Sequence, residues 1–158
     1  MKHSLKTGFS FGLTSGIITT LGIIVGLQST INSRLVVIGG VLTIAIADAL
    51  SDALGIHMSE ESENKHTAQE IWEATFSTLI SKSVFSLTFL VPVILLPLTT
   101  AVLVSLFWGF FLISIFSYAT AKKNQQKPWK CIAEHVILAL CVVLITHYVG
   151  LWVSTTFG

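Results

Sequence analysis

Long stretches without a charged residue limit this chain to a small number of folds. Residues 7–33, 83–121 and 135–158 contain no Asp, Glu, Lys or Arg. A helix of about 20 apolar residues crosses the hydrocarbon core of a bilayer, so each stretch is long enough to span a membrane. Charged residues make up only 11% of the chain, against roughly 25% in soluble globular domains. The sequence therefore predicts an all-α, multi-pass membrane protein and excludes an ordinary water-soluble domain.

The number of spans follows from two prolines and two aspartates. Pro92 and Pro97 interrupt the longest uncharged stretch, and because proline breaks helices that stretch divides into two spans. Asp48 and Asp52 lie in a segment that is otherwise apolar, which makes it a further span. We predict five transmembrane helices in a single transmembrane domain, residues 1–158, with spans at about 9–30, 35–57, 74–97, 99–120 and 132–154.

The basic residues predict the orientation of these spans. Five spans place the two termini on opposite sides, and seven of the nine basic residues then share the side of the N-terminus. The positive-inside rule assigns that side to the cytoplasm. A net charge of +1 offers no field that would attract nucleic acid. We expect an integral protein of the lipid bilayer, in the cell membrane rather than an organelle membrane. The seven residues are Lys2, Lys6, Lys65, Lys122, Lys123, Lys127 and Lys130.

Three ionisable residues fall inside predicted spans. A charged side chain near the bilayer centre costs about 2.5–3.5 kcal/mol on insertion scales, so Asp48, Asp52 and Lys82 need compensating partners. Asp48 and Asp52 are one helical turn apart on a face of small residues, where their oxygens would suit a divalent cation or carry protons. Alternatively, Asp52 and Lys82 form a structural ion pair, which leaves Asp48 without a partner.

An acidic hairpin joins the second and third spans. Residues 59–73 carry five carboxylates and one lysine, and Thr67 to Glu70 have the form of a capping box, which predicts a helix start near Ala68. The two helix ends would then face each other across a cytoplasmic connection. Their carboxylates build either a metal site, with His66 added, or a solvated acidic surface. The candidate metal ligands in the hairpin are Glu60, Glu63, Glu70 and Glu73.

Five glycines of the first span share one third of the helix circumference at 100° per residue. Small residues let two membrane helices approach closely. This face therefore predicts either close packing within the chain or a homodimer interface. The glycines are Gly8, Gly12, Gly16, Gly22 and Gly26.

Residues 8–61 resemble the first two spans of the vacuolar iron transporter family. The matching stretches are Gly12-Leu13-Thr14-Ser15, with the apolar run after it, and Ala49 to Ser59. The resemblance implies a dimeric carrier that moves ferrous iron or manganese out of the cytosol in exchange for protons. The family's aspartate of the first span falls on Phe11, and its methionine, glutamate and tyrosine fall on Asp52, Ile56 and His57. We hypothesise that Asp48 and Asp52 replace the lost carboxylates.

The sequence is therefore compatible with two alternative classes of function. The first is a divalent-cation antiporter with Asp48 and Asp52 as the intramembrane site. The second is a non-transporting membrane scaffold or assembly subunit that uses the glycine face, and it predicts that joint neutralisation of Asp52 and Lys82 is tolerated. An enzyme is not predicted, because the sequence has no G-x-S-x-G, H-E-x-x-H or Walker motif. No cofactor is predicted either, since the metal ion would be the transported substrate.

Overall fold

The computed structural model describes residues 2–158 and is 89% helical. Within these residues there is no strand, and five helices are long and apolar enough to cross a membrane. The all-α class and the five predicted spans are thereby confirmed. The five helices are His3–Thr30, Arg34–Ser62, Ala68–Leu95, Leu98–Lys123 and Pro128–Phe157.

Two of the five helices are interrupted. The second contains α2 and α3, joined by a π-helical turn of five residues, Ile44–Asp48. The third consists of α4 and α5, which meet at Phe89. The segments are α1 (His3–Thr30), α2 (Arg34–Thr43), α3 (Ala49–Ser62), α4 (Ala68–Thr88), α5 (Leu90–Leu95), α6 (Leu98–Lys123) and α7 (Pro128–Phe157).

The prolines explain where the longest apolar stretch breaks. α4 ends at Thr88, four residues before Pro92, because a proline lacks the N–H that would bond to the carbonyl four residues earlier. Pro97 is the N-cap of α6 and has an extended backbone. The predicted division of the stretch into two spans is confirmed.

The sequence also predicted the start of α4 correctly. Thr67 is the N-cap, and its hydroxyl accepts a hydrogen bond from the backbone N–H of Glu70 at 3.3 Å. The Glu70 carboxylate in turn accepts one from the backbone N–H of Thr67 at 2.9 Å. Two N–H groups that the first turn of a helix leaves without partners are thus satisfied.

Thr67→Ala should therefore destabilise the protein, whereas Ser62→Ala should not. The threonine change removes the cap and is expected to lower the free energy of unfolding by about 1 kcal/mol. Ser62 is an exposed hydroxyl that bonds only to Ser59 O of its own helix, which makes it a matched control. Thermal unfolding of the purified protein in detergent measures both. Equal melting temperatures for the two variants would contradict the assigned cap.

The chain divides into two compact units, and the first contains residues up to 20 together with 41–90. In this unit hydroxyl groups of α4 donate hydrogen bonds to backbone carbonyls of α1. Ser77 Oγ donates to Leu5 O at 2.8 Å, and Ser86 Oγ donates to Gly16 O at 3.4 Å. Thr78 Oγ1 donates to Gly8 O at 3.3 Å between them. These bonds hold the two helix backbones together. The single transmembrane domain stays a prediction.

The second unit contains residues 21–40 and 91–158, with α6 packed against α7. Polar contacts join its helices here as well. Ser29 Oγ lies 2.7 Å from His147 Nδ1, and Ser117 Oγ lies 2.7 Å from His135 Nδ1. Both histidines are therefore hydrogen-bonded between helices.

Candidate cation site

Three membrane-spanning helices bring polar side chains together near their midpoints. Ser15 comes from α1, Asp48 from the last position of the π-helical turn, Asp52 from α3 and Lys82 from α4. Each lies near the middle of a helix of 28 or 29 residues. Polar side chains at this depth have no water nearby, so they must satisfy one another.

The Lys82 ammonium is the centre of this cluster. Its side chain is completely buried, and Nζ lies 2.5 Å from Asp48 Oδ2 and 2.6 Å from Asp52 Oδ2. Nζ also donates a hydrogen bond to Ser15 Oγ at 3.1 Å. The Ser15 hydroxyl donates to Asp52 Oδ2 at 2.6 Å. The cluster thus holds two carboxylates and one ammonium, with formal charges that sum to −1.

The two aspartates are held differently. Asp52 Oδ2 accepts hydrogen bonds from both Ser15 and Lys82. Asp48 Oδ2 is close to the ammonium but buried without hydrogen-bond geometry to any group in the described residues. Their side chains stay partly accessible, with 34% of Asp48 and 21% of Asp52 exposed. The expectation that an Asp52–Lys82 pair leaves Asp48 without a partner is wrong, because one ammonium lies between both carboxylates.

The π-helical turn lies directly before Asp48. The backbone N–H of Ala49 bonds to Ile44 O, five residues earlier, so the helix is wider here than an α-helix. Ser83 Oγ of α4 donates to Ala45 O inside the turn at 2.7 Å. Such turns are rare and are frequent at functional sites. Here the wide turn sets the direction in which Asp48 enters the cluster.

The four glutamates of the hairpin do not meet at one point. Glu60 is buried, and its Oε2 lies 3.4 Å from His66 Nε2, while Glu63 Oε2 lies 3.9 Å from the same nitrogen. Glu70 is used in the helix cap, and Glu73 bonds to the N-terminal segment through Lys2 and Ser4, at 2.6 and 2.7 Å.

No three His, Cys, Asp or Glu side chains in residues 2–158 are arranged to hold a metal ion. The aspartate pair of the spans and the glutamates of the hairpin are thus separate candidates. The metal-binding role of both groups stays a prediction.

All five glycines of the predicted face contact helices of the same chain. In the first unit, a Cβ on Gly8, Gly12 or Gly16 would meet Ala74, Thr78 or Lys82 of α4. In the second unit, a Cβ on Gly22 or Gly26 would meet Thr146 of α7. The glycines therefore serve close packing of helices within the chain.

Sequence reasoning did not identify Ser15 or Ser83 as members of the site. A usable signal existed for Ser15, which projects onto the same arc of the first helix as the glycines at 100° per residue. Ser83 had no comparable signal, because its partner is a backbone carbonyl of a π-helical turn. Nothing in the residues 44–48 themselves distinguishes that turn from an ordinary α-helix.

A sequence model of the VIT family, the vacuolar iron transporters, matches residues 9–73. This match supports membership of the VIT family. It covers about two fifths of the chain and includes Ser15, Asp48 and Asp52, but ends before Lys82. No curated protein matches the chain. VIT family members are transporters rather than enzymes, so the match suggests metal-ion transport across a membrane in general. The five long apolar helices support a multi-pass integral membrane protein.

Proposed function

We propose that the chain exports a divalent cation, ferrous iron or manganese, from the cytosol, with Asp48 and Asp52 as the intramembrane site. The observation that carries the proposal is the convergence of the two carboxylates on one point near the midpoints of their helices, at 2.5 and 2.6 Å from Lys82 Nζ. Carboxylate oxygens are ligands that such cations accept. An ionisable cluster at this depth is a candidate functional site by default.

The charge of the cluster supports cation binding. With one ammonium against two carboxylates, one negative charge remains in a region of low dielectric constant, where its attraction for a cation is strong. The carboxylates of both aspartates are only partly buried, whereas Lys82 between them is completely buried. We propose the hairpin carboxylates, Glu60 and Glu63 beside His66 and Glu70 and Glu73 at the start of α4, as a surface that collects cations before they enter.

Exchange for protons follows from the same two carboxylates. A carboxylate must lose its proton before it can bind a metal ion, so a proton and a metal ion compete for it. If the site faces each side of the membrane in turn, this competition couples cation export to proton entry. The proposed antiport therefore needs no ATPase domain.

Topology and assembly complete the proposal. We propose that the protein lies in the cell membrane, with its N-terminus and the acidic hairpin on the cytoplasmic side. The distribution of lysines supports this orientation. We also propose a homodimer, which rests on the likeness to the family. The five glycines of α1 contact α4 and α7 of their own chain, so the dimer would use other apolar surfaces.

Flux into liposomes tests the proposed transport. Purified protein is reconstituted, and uptake of Fe²⁺, Mn²⁺ and Zn²⁺ is followed with and without a pH gradient, beside protein-free liposomes. We expect uptake of Fe²⁺ or Mn²⁺ at least tenfold above the protein-free background, and faster uptake when the gradient drives protons the opposite way. Folded protein that moves none of the three ions would instead favour the scaffold, with the ion cluster as a structural element.

A further inference from the structure

Lys82 Nζ lies in a shell of three oxygens that come from three segments of the chain. The shell consists of Asp48 Oδ2 at 2.5 Å, Asp52 Oδ2 at 2.6 Å and Ser15 Oγ at 3.1 Å. Two carboxylates and a hydroxyl are hard oxygen donors, which is the ligand type that divalent cations such as Mn²⁺ accept. The ammonium of lysine is itself a compact point charge. The position of Nζ therefore has the surroundings of a cation site.

The ammonium makes hydrogen bonds to only two of the three oxygens around it. Lys82 makes hydrogen bonds to Asp52 and Ser15, but Asp48 Oδ2 has none within the part of the chain that the structure describes. The contact of Asp48 Oδ2 with the ammonium is an ion pair without hydrogen-bond geometry. A metal ion at this position has no directional N–H bonds to satisfy and would take up the Asp48 oxygen directly.

We propose that Ser15, Asp48 and Asp52 form one three-oxygen cation site, and that the Lys82 ammonium is its resident cation, which a divalent ion must displace. This inference rests on the proposed function, since it describes the state of the transport site before substrate binds. It adds Ser15 as a ligand and Lys82 as the residue that sets how tightly a cation is held.

The backbone that carries Lys82 is closely packed against α1. A Cβ on Gly16 would lie 3.2 Å from Lys82 Cα and 3.0 Å from Lys82 O, so the backbone of α4 rests directly against α1. Ser86 bonds to Gly16 O one turn further along. The lysine side chain, in contrast, has four rotatable carbons. In the proposed displacement, the ammonium would therefore move by rotation of the lysine side chain rather than by a shift of α4.

Equilibrium binding of Mn²⁺ to the purified protein in detergent, measured by calorimetry, tests the inference. Lys82→Met removes the charge but keeps the length, and we expect it to bind Mn²⁺ at least tenfold more tightly than the wild type. Adding Asp48→Asn to Lys82→Met should remove this gain. Adding Ser15→Ala should lower the affinity at least threefold, whereas Ser77→Ala, which also loses a hydroxyl between α1 and α4, should not. Unchanged or weaker Mn²⁺ binding by Lys82→Met would overturn the inference, as would equal effects of the two serine variants.

A second variant covers the case in which Lys82→Met does not fold. Lys82→Arg keeps the positive charge and can bond to both carboxylates at once, so displacement of the guanidinium is harder. We expect this variant to bind Mn²⁺ at least tenfold more weakly than the wild type. Wild-type affinity in Lys82→Arg would count against a resident cation. If Lys82→Met binds Mn²⁺ more tightly but the wild-type protein shows no flux in liposomes, this inference stands and transport is rejected. If the wild-type protein shows flux but Lys82→Met binds Mn²⁺ as the wild type does, transport stands and this inference is rejected.

Discussion

Cation uptake by Asp48→Asn in liposomes is expected to fall to the level of protein-free liposomes. The asparagine side chain has the same shape but no charge, so the cluster changes from a formal charge of −1 to zero. Loss of this negative charge removes the attraction for a divalent cation. The substitution also removes a carboxylate ligand, in which Asp48 Oδ2 makes no hydrogen bond. Lys82 keeps its hydrogen bond to Asp52 at 2.6 Å, so the variant retains an ion pair and should fold.

Glu61→Gln is the matched control for this experiment. It removes one carboxylate of the exposed hairpin that belongs to none of the proposed binding groups. We expect uptake within about twofold of the wild type for this variant, because an exposed charge is screened by water and salt. Thermal unfolding of both proteins in detergent verifies that they are folded. Normal uptake by folded Asp48→Asn would remove Asp48 from the transport site.

The second large effect is expected for Gly12→Ala, which should lower the free energy of unfolding by about 1–3 kcal/mol, the usual range for overpacking. A Cβ at this position would lie 2.5 Å from Thr78 O and 3.1 Å from Lys82 N. Both are backbone atoms, so α1 and α4 would have to separate. Because Lys82 is carried by α4, the separation would also draw its ammonium away from Ser15.

Gly55→Ala is the matched control and should have the opposite sign. A Cβ at Gly55 would meet nothing within 4 Å, and alanine is better than glycine inside a helix by about 0.8–1.0 kcal/mol. Thermal unfolding in detergent measures both variants. If Gly12→Ala were as stable as Gly55→Ala, the close contact of α1 with α4 would be refuted.

Features that depend on neighbouring residues in the chain could be predicted from the sequence. The spans follow from the lengths of the uncharged stretches, the start of α6 from Pro97, and the start of α4 from the capping-box form of Thr67 to Glu70. In each case the physical cause lies within a few residues of its effect. Asp48 and Asp52 share a face for the same reason, because they are one helical turn apart. The interruption at Phe89, inside the predicted third span, was not predicted.

The parts that could not be predicted depend on how the helices align with one another. That one ammonium reaches both aspartates requires the register of α3 against α4, which is set by packing over the whole contact. The π-helical turn at Ile44–Asp48 belongs to this class as well, since its carbonyl is satisfied by Ser83 from a different helix. The glutamates of the hairpin are the same residue type in one acidic segment. The position of each carboxylate depends on the partner that the fold places beside it.

The hydroxyl bonds from α4 to the carbonyls of α1 have a mechanical consequence. Sliding or parting these two helices would take the hydroxyls of Ser77 and Ser86 away from their acceptors on α1, Leu5 O and Gly16 O, in a medium without water. The second span is held to the same two helices by at least as many polar contacts: Ser15 with Asp52, Thr75 with His57, Ser83 with Ala45, and Lys82 with both aspartates. A motion that changes which side of the membrane the aspartates face would therefore have to break or exchange these contacts of the aspartate-bearing span.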